Sequence, residues 1–327
     1  MNKDLKTQII ERVTPDLIQV EQALEDHLAP HLDLVKQIAS HLLFSGGKRL
    51  RPLLFIHAAR MCGYRGKDEV VFSTMFEYLH AATLLHDDVV DGAAMRRGRQ
   101  AAQTRWPAAQ VVLTGDFLLA RALNIAARTR NPRVISVVAD ITREMSEGEI
   151  DQLEKKGRVD LTEAQYLKII ERKTAVLIQG ACRCGAILAG ASNEEEAALA
   201  DFGFHLGMAF QMADDLLDYT ATADQLGKNP GADMREGKLT LPLIHSLARA
   251  VPEDREWMTQ MLADPTFDPV QFRQMKEKLE SLGGISYTLK KAQQCVARSE
   301  QSLESFEASD SKTILTLIAN YAVHRKV

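Results

Sequence analysis

Residues 68–91, DEVVFSTMFEYLHAATLLHDDVVD, decide the fold class. Apolar side chains recur there at steps of three and four, as at Phe72, Leu79, Leu85 and Val89. This is the period of an amphipathic helix and not of a strand. The segment therefore predicts a long core helix that ends in acidic residues.

Helical periodicity continues along nearly the whole chain. Proline is absent from 53–106 and from 133–229, and long proline-free stretches favour helices over short strands and turns. No two-residue alternation lasts long enough to build a sheet. The predicted fold class is therefore all-α. Further helices are predicted over 107–129 and 132–155, from Thr162, from Ser192 to about Thr220, and over 268–324 with a break at Gly283 and Gly284.

The composition is that of an ordinary globular chain. Its 327 residues are 46% hydrophobic and 26% charged, with a formal net charge of −4, so no basic surface for nucleic acid is expected. The N-terminus has no apolar signal region. The most apolar stretch, about 175–191, is broken by Gln179 and Arg183, so no membrane span is predicted. These features predict a cytoplasmic protein.

The cysteines predict neither a disulfide nor a zinc site. Cys62, Cys182, Cys184 and Cys295 form no CxxC pair and no zinc-ligand spacing. We expect buried, reduced thiols, which are typical of a cytosolic protein.

The chain shows no internal boundary. Its length suggests about two domains, but no low-complexity linker and no shift of composition divides it. We expect one large helical domain over 1–327, with the motifs in a core of about 45–244 and further helices over 250–327. The longest predicted loop, 222–238, is a candidate functional segment.

The strongest chemical signal is the pattern Asp-Asp-x-x-Asp, which occurs at 87–91 and again at 214–218. On a helix the first and last aspartates of each copy share a face, about 6 Å apart. Like charges repel, and a helix C-terminus disfavours anions, so a cation must stabilise the arrangement. Clustered carboxylates suit Mg²⁺, which commonly bridges carboxylates and substrate phosphates. The candidate metal ligands are Asp87, Asp88, Asp91, Asp214 and Asp218.

Basic residues accompany both acidic motifs. Each alone would ordinarily be a solvated surface charge, but their positions beside the motifs and in glycine-bearing loops are typical of phosphate clamps. His80 lies two helical turns before Asp87, where a core role and a phosphate-binding role are equally plausible. Acidic and basic clusters in one helical protein predict a diphosphate bridged by metal ions. The candidate phosphate ligands are Lys48, Arg51, Arg96, Arg97, Lys173, Lys228 and Lys238.

In order and spacing, these motifs resemble those of trans-polyprenyl diphosphate synthases over about 45–244. The matching segments are GGKRLRP (46–52), YLHAATLLHDDVVD (78–91), RRG (96–98), GDFLLARA (115–122), EGEI (147–150), KTA (173–175), QMADDLLDY (211–219) and GKNPGADMREGKLTLPLI (227–244). One acidic motif would be weak support, whereas the ordered set is highly specific. The ends of the chain add only helical character.

The resemblance implies an isoprenoid synthase fold around a deep central cavity, and it implies the reaction. An allylic diphosphate ionises with the help of three Mg²⁺ ions, and the alkene of isopentenyl diphosphate attacks the allylic cation. Loss of a proton then leaves a product that is one isoprene unit longer. The family usually forms homodimers.

The resemblance also implies residue roles. Asp87 and Asp91 correspond to ligands of two Mg²⁺ ions with Asp88 in support, and Asp214 to the ligand of the third, with Asp218 acting directly or through water. Thr174 and Gln211 match positions near the reacting carbons. The allylic-diphosphate clamp corresponds to Arg96, Lys173, Lys228 and Lys238, and the isopentenyl-diphosphate pocket to Lys48, Arg51, His80 and Arg97. After the first motif, where the family commonly has an acidic residue, this chain has Gly92-Ala93-Ala94.

Product length is set in this family below the first acidic motif. Short-chain members often carry aromatic residues four or five positions before it, where this chain has Thr83 and Ala82. Phe76 lies eleven residues before Asp87, about 16 Å deeper, and is a candidate lower wall, although a simple core residue is the commoner explanation. We expect a long, octaprenyl-like product for a quinone side chain, with a farnesyl or geranylgeranyl diphosphate synthase as the alternative.

Three other classes fit the sequence less well. Terpene cyclases share the fold and the first acidic motif but lack the GKxxRP and RRG sites. Glu77-x-x-His80 matches a di-iron ligand pattern, but the chain has no second copy. Non-catalytic partner subunits of heteromeric synthases tend to lose motif residues, and none is lost here.

The chain-length hypothesis predicts that Ala82→Phe shortens the product, because the ring would fill space one turn below the first acidic motif. Reverse-phase chromatography of the products made from farnesyl diphosphate, isopentenyl diphosphate and Mg²⁺ measures the length. A product of wild-type length would contradict the hypothesis.

Overall fold

A computed structural model describes residues 4–220, 231–264 and 266–324. Helices α1 to α8 span Leu5–Leu28, Asp33–Leu43, Leu50–Met61, Glu69–Val90, Ala108–Arg128, Pro132–Glu154, Glu163–Ile170 and Val176–Ala189. Helices α9 to α15 span Asn193–Thr220, Ala232–Arg235, Leu241–Arg249, Pro252–Ala263, Pro269–Ser281, Gly284–Ser302 and Asp310–His324. Within these residues the only strands are β1 (Met95–Arg96) and β2 (Arg99–Gln100), which form an antiparallel hairpin. The predicted all-α class is confirmed.

The helix ends follow local capping signals. Thr162 begins α7 with a capping box, in which its hydroxyl accepts a hydrogen bond from the Gln165 amide and the Gln165 side chain accepts one from the Thr162 amide. Asp268 and Gln271 form the same arrangement at the start of α13. Such ends depend on neighbouring residues, so the predicted boundaries of these helices lie within a residue or two of the observed ones.

One local prediction is refined and another needs correction. Lys173 and Thr174 lie in the helical stretch expected from Thr162, but in a turn of π-helix, Glu171–Ala175, between α7 and α8. The predicted loop 222–238 contains the short helix α10 in its described part, while 222–230 lie outside the described residues. The helix α10 begins where the Asp218 carboxylate accepts two of its backbone amides, a cap that lies too far away in sequence to be read from local spacing.

The chain forms two compact units. Unit 1 comprises 1–143, 177–203 and 302–318, and unit 2 comprises 144–176, 204–301 and 319–327. The prediction of one domain around a central cavity stays a prediction, and each unit is described by itself below.

The core of unit 1 surrounds α4. Tyr78 is fully buried and donates its hydroxyl proton to the Leu24 carbonyl of α1 at 2.6 Å. The rings of Phe76 and Phe55 lie 5.8 Å apart. Gly185 allows α8 to approach α3 closely, since a Cβ there would lie 2.4 Å from the Phe55 carbonyl oxygen. The helix that ends in the first acidic motif is thus held on several sides.

Two glycines hold the π-helical turn of unit 2 in place. A Cβ on Gly148 of α6 would lie 2.7 Å from the Cβ of Arg172, and one on Gly207 of α9 would lie 2.6 Å from the Cα of Ala175. Real Cβ atoms do not come this close to backbone, so α6 and α9 can pack against the turn only because both positions lack side chains. The backbone of Lys173 and Thr174 is therefore positioned by glycines from two other segments.

Helix α5 is long and apolar enough to cross a membrane by length and composition. About a third of its most apolar stretch is buried inside the protein, and a single helix of this kind is weak evidence for a membrane span. Leu113 on this helix is 65% exposed.

All four cysteines are free thiols, as predicted. Cys182 and Cys184 are fully buried, but Cys62 and Cys295 are partly exposed, which corrects the expectation of four buried thiols. Burial raises the pKa of Cys62 to about 12, so it too is a protonated thiol at neutral pH.

We expect Gly207→Ala to lower the free energy of unfolding by about 1–3 kcal/mol, because the new methyl group must displace backbone in the π-helical turn. Gly180→Ala in α8 is the matched control, since the three atoms nearest to its methyl group would be side-chain atoms of Ile141 and Phe76, and the closest is the terminal Cδ1 of Ile141, which can rotate away. Urea unfolding followed by circular dichroism compares the two variants. Equal stability of Gly207→Ala and wild type would contradict the packing argument.

Candidate active site

Arg49 anchors the glycine-rich loop that carries the first basic motif. Its guanidinium donates to both carboxylate oxygens of Glu21 at 2.6 and 3.0 Å, to Glu77 at 2.8 Å and to the Leu43 carbonyl at 2.6 Å. Arg49 is 2% exposed and has a left-handed backbone, with φ of 46°. The arginine is thus a structural anchor, while Lys48 beside it is exposed.

Glu77 is the buried partner in this pair. It is 4% exposed on α4, and its Oε1 accepts a hydrogen bond from Nη1 of Arg49. A carboxylate committed to a buried guanidinium is a poor iron ligand. The structure therefore gives a physical reason to reject the di-iron interpretation of Glu77-x-x-His80.

Arg97 brings the second basic motif to the same loop. It lies at the tip of the β1–β2 hairpin with φ of 51° and donates to the Gly46 carbonyl oxygen. A Cβ on Gly47 would lie 3.2 Å from Nη1 of Arg49 and 3.3 Å from Nη1 of Arg97. Two motifs separated by some fifty residues in sequence are thus adjacent in unit 1.

His80 lies among these cations. Its pKa is well below the ordinary value, first because burial disfavours the charged imidazole and then because positive charges surround it. The contributing cations, in descending order, are Arg51, Arg97, Arg96 and Arg49. A neutral imidazole still offers one N–H donor, and a cluster of cations favours an anion. This part of unit 1 can bind a phosphate group.

The first acidic motif closes α4. The Asp91 amide donates to the Asp87 carbonyl at 2.8 Å, so the two residues stand one turn apart at the helix end, both partly exposed. Asp88 points elsewhere and is 1% exposed. Its Oδ1 accepts from Nε of Arg96 at 2.7 Å, while its Oδ2 is buried without a hydrogen-bond partner. Asp88 thus supports Arg96, which was predicted to clamp phosphate.

The donor chemistry at this helix end fits magnesium. In the described part of the chain, no three His, Cys, Asp or Glu side chains converge to hold a metal on their own. Mg²⁺ is commonly bound by one or two carboxylates together with substrate phosphates and waters. Asp87 and Asp91 supply such carboxylates on one helix end, so the residues fit an ion that arrives with a diphosphate.

Unit 2 places the KTA segment beside the second acidic motif. Lys173 forms an ion pair with Glu149 of α6 at 2.6 Å. The Thr174 hydroxyl donates to Oε1 of Gln211 at 2.7 Å, and Nε2 of Gln211 donates to Oδ1 of Asp215 at 2.8 Å. The two residues predicted to lie near the reacting carbons are therefore in direct contact.

The chain of hydrogen bonds ends at a tyrosine for which the sequence predicts no role. The hydroxyl of Tyr166 on α7 donates to Oδ2 of Asp215 at 2.5 Å, and both residues are buried. Burial and, after it, the nearby Asp233 raise the pKa of Asp215 to about 8, although the hydrogen bonds from Tyr166 and Gln211 lower it.

These side chains line a cavity inside unit 2. Its empty volume is about 700 Å³, including space open to solvent. The cavity brings together four lysines, two aspartates and the hydrogen-bonded chain: Lys155, Lys156, Lys173, Lys238, Asp215, Asp233, Tyr166, Thr174 and Gln211. Cations and oxygen donors around one space are suited to a diphosphate and a cation bound with it.

The second acidic motif divides its carboxylates between solvent and interior. Asp214 is exposed, as a ligand for an arriving ion should be. Asp218 is 1% exposed, and its two oxygens accept the amides of Ala232 and Asp233 at 3.1 Å each. Asp218 thus caps α10, and its predicted metal role, direct or through water, stays a prediction.

The remaining predicted phosphate ligands lie after this motif. Lys228 lies outside the described residues. Lys238 lines the cavity and pairs with Glu236 at 2.6 Å. The Gly157 amide donates to the Gly237 carbonyl at 2.9 Å, which joins the segment carrying Lys155 and Lys156 to the one carrying Lys238.

The chain-length candidates lie on α4. Phe76 is fully buried and Ala82 is 3% exposed. Thr83 is partly exposed and donates its hydroxyl proton to the His80 carbonyl at 2.9 Å. No aromatic side chain occupies positions 82 and 83, and the role of Phe76 as a lower wall stays a prediction.

Sequence reasoning missed several site residues. Arg49 stands between two predicted phosphate ligands, and nothing in the motif reveals that it points inward. Asp233 lies inside a segment that the family resemblance covers. Tyr166 lies seven residues before Lys173. A search for polar residues at helical spacing from KTA would have found Tyr166, whereas Lys155 and Lys156 carry no signal beyond their charge.

Comparison with known proteins identifies relatives over the full length. The family model for polyprenyl synthetase matches residues 32–279. The octaprenyl diphosphate synthase of Escherichia coli (strain K12) is 36% identical over 97% of this chain and 98% of its own. The all-trans-nonaprenyl-diphosphate synthase of Rhodobacter capsulatus is 37% identical over 98% of each chain.

A solved structure agrees in fold as well. Polyprenyl synthase from Caulobacter crescentus CB15, crystallised with calcium and isoprenyl diphosphate, superposes with a TM-score of 0.93 at 37% identity, covering 100% of both chains. The isoprenoid synthase fold expected from the motifs is therefore confirmed.

We expect Arg49→Met to lower the free energy of unfolding by about 3–5 kcal/mol, because it leaves Glu77 buried without its cation. Replacing both partners, as in Arg49→Met with Glu77→Met, should restore much of that loss. Glu21→Gln is the control, since this carboxylate is 45% exposed and its loss should cost less than about 1 kcal/mol. Urea unfolding measures all three. A double variant no more stable than Arg49→Met would contradict the pairing argument.

Proposed function

This chain belongs to the polyprenyl synthetase family, and from this premise we propose how it works as a long-chain trans-prenyltransferase. It condenses isopentenyl diphosphate, head to tail, with an allylic diphosphate and so builds an all-trans polyprenyl diphosphate. The observation that carries the proposal is the cavity of unit 2, where Lys173 and Lys238 accompany Thr174 and Gln211. The two lysines would bind a diphosphate, and the side-chain oxygens of Thr174 and Gln211 line the same cavity.

The magnesium ions are the proposed cofactor, three per active site. Asp87 and Asp91 of unit 1 and Asp214 of unit 2 would hold them, with Asp218 in support. Bound magnesium neutralises a diphosphate and stabilises the charge that develops as it leaves. This helical chain carries none of the GxSxG, Walker A or GxGxxG patterns, and a reaction of this kind needs no protein nucleophile.

The basic cluster of unit 1 is the proposed site for isopentenyl diphosphate. Arg51, Arg97 and the exposed Lys48 supply charge, and neutral His80 supplies a hydrogen bond to a phosphate oxygen. Arg49 sets the loop through its contacts with Glu21 and Glu77. Phosphate binding here would raise the pKa of His80 towards its ordinary value, because an anion favours the charged imidazole.

The allylic diphosphate is proposed to bind Lys173, Lys228, Lys238 and Arg96. Lys173 pairs with Glu149, Lys238 with Glu236 and Arg96 with Asp88. Each ion pair orients its cation. Substrate phosphate competes with these carboxylates for the cations. Arg96 is best suited to binding Asp88 and a phosphate together, because the N–H donors of its guanidinium form a planar fork.

A long product is proposed because Ala82 and Thr83 leave the space below the first acidic motif free of aromatic rings. The names of the octaprenyl and nonaprenyl relatives point the same way, and a farnesyl or geranylgeranyl product is the alternative. A quinone side chain is the proposed destination. The free thiols fit the reducing cytoplasm, which we propose as the location.

A homodimer is proposed through α5. Leu113 and Leu123 on this helix are 65% and 38% exposed. Large apolar side chains that a monomer leaves in water on one helix are typical of an interface. The proposed partner is a second copy of the chain.

Asp87→Ala and Asp214→Ala should each lower kcat by at least 100-fold, because each removes a proposed ligand of the ions that stabilise the leaving group. Asp140→Ala is the matched control, an aspartate whose side chain is 60% exposed and lies outside both motifs. Product formation from farnesyl diphosphate and isopentenyl diphosphate, with and without EDTA, is measured by mass spectrometry. Full activity of either motif variant, or of wild type in EDTA, would contradict the metal assignment.

Leu113→Glu should convert the dimer to monomer, because a charge would be buried in the proposed interface. Ile18→Glu on α1 is the control, since Ile18 is similarly exposed at 66% but lies on another helix. Multi-angle light scattering after size exclusion gives the mass in solution. A dimer that survives Leu113→Glu while the helical signal is intact would contradict an interface at this position.

A further inference from the structure

We infer that Tyr166 is a positioning residue for the prenyl transfer: through Asp215 it fixes the amide of Gln211, and through that amide it fixes the hydroxyl of Thr174. The inference rests on the proposed function and adds to it a residue for which the motifs give no role. It is carried by three consecutive hydrogen bonds at 2.5, 2.8 and 2.7 Å.

The direction of each hydrogen bond follows from the partners. Asp215 has both oxygens committed, Oδ2 to the tyrosine hydroxyl and Oδ1 to Nε2 of Gln211. Because its amide nitrogen donates to Oδ1 of Asp215, Gln211 turns its carbonyl oxygen towards Thr174. Thr174 then uses its single proton on that carbonyl, so the lone pairs of its oxygen are what it offers to other groups.

An oxygen with free lone pairs is useful where positive charge develops. In the proposed reaction an allylic cation forms beside Thr174, and a fixed dipole stabilises it without reorganising. If the amide of Gln211 turned over, its NH₂ group would face the Thr174 oxygen and occupy a lone pair. The chain of hydrogen bonds therefore selects one of two orientations of a side chain that is otherwise nearly symmetrical in shape.

Tyr166 is the outer end of this chain. It is 3% exposed and comes from α7, whereas Asp215 and Gln211 come from α9 and Thr174 from the π-helical turn. Without the tyrosine hydroxyl, Oδ2 of the buried Asp215 side chain loses its partner, and this side chain is free to turn away from Gln211. Substrate binding depends on cations that the tyrosine does not contact, so the loss should fall on kcat rather than on KM.

The test is a mutant cycle on the active wild-type enzyme. Tyr166→Phe should lower kcat by about 10- to 100-fold, with KM for both substrates within about twofold. Gln211→Ala should lower kcat as well. In the Gln211→Ala background, Tyr166→Phe should have less than about a twofold effect, because the chain is already broken. If Tyr166 were only structural, the fold-losses in kcat of Tyr166→Phe and Gln211→Ala would multiply in the double variant.

Tyr287→Phe is the matched control. Its hydroxyl also donates to a carboxylate in unit 2, Oε2 of Glu163 at 2.8 Å at the start of the same helix α7, but it does not line the cavity. This variant should keep kcat within about twofold. If Tyr166→Phe does not fold, Thr174→Val combined with Gln211→Ala tests the inner end of the chain, where the two effects should likewise fail to multiply.

The outcomes separate the two claims. Wild-type kcat in Tyr166→Phe, effects that multiply in either cycle, or an equal loss in Tyr287→Phe would overturn the positioning role while wild type remains active. A wild type that forms no polyprenyl product at all would overturn the proposed function and this inference with it.

Discussion

In each unit, ion pairs with carboxylates hold the cations that are proposed to bind phosphate. Guanidinium and ammonium groups that await a diphosphate would repel one another and lose their orientation if they were left alone. Each is instead paired with a carboxylate: Arg96 with Asp88, Lys173 with Glu149 and Lys238 with Glu236. The two lysine pairs are partly exposed and therefore hold their charges at little cost, whereas in the arginine pair Asp88 is buried.

Where such a pair is buried, its function changes. Arg49 and Glu77 are both almost fully buried, and a buried ion pair is weak support for stability but is costly to break. Here it connects α4 to the loop that presents the basic motif, so the position of the residues proposed to bind phosphate depends on it. In unit 2 we infer a corresponding role for a chain of hydrogen bonds. Tyr166, Asp215 and Gln211 orient the uncharged oxygen of Thr174, which suits its proposed place beside a developing cation.

Much of this could be predicted from local sequence. The period of residues 68–91 predicted α4, and Thr162 and Asp268 marked two helix starts through capping boxes. The acidic and basic motifs identified the reaction class through their order. The partners inside the site could not be predicted in this way, because Arg49 resembles its exposed neighbours in the motif and only its burial separates it from them. The π-helical turn could not be predicted either, since it depends on close packing against Gly148 and Gly207 from other helices.

The sequence by itself determined the helices, the carboxylates and cations available for chemistry, and the family. These features follow from the period of apolar residues and from spacing along a helix, both of which act within a few residues. Tertiary structure decided which charges face inward, which carboxylate accepts which donor, and why Asp215 and Asp218 are committed while Asp214 is exposed. Those outcomes depend on contacts between segments distant in sequence, and a hydrogen bond or a buried ion pair forms only where packing brings its two partners to about 3 Å.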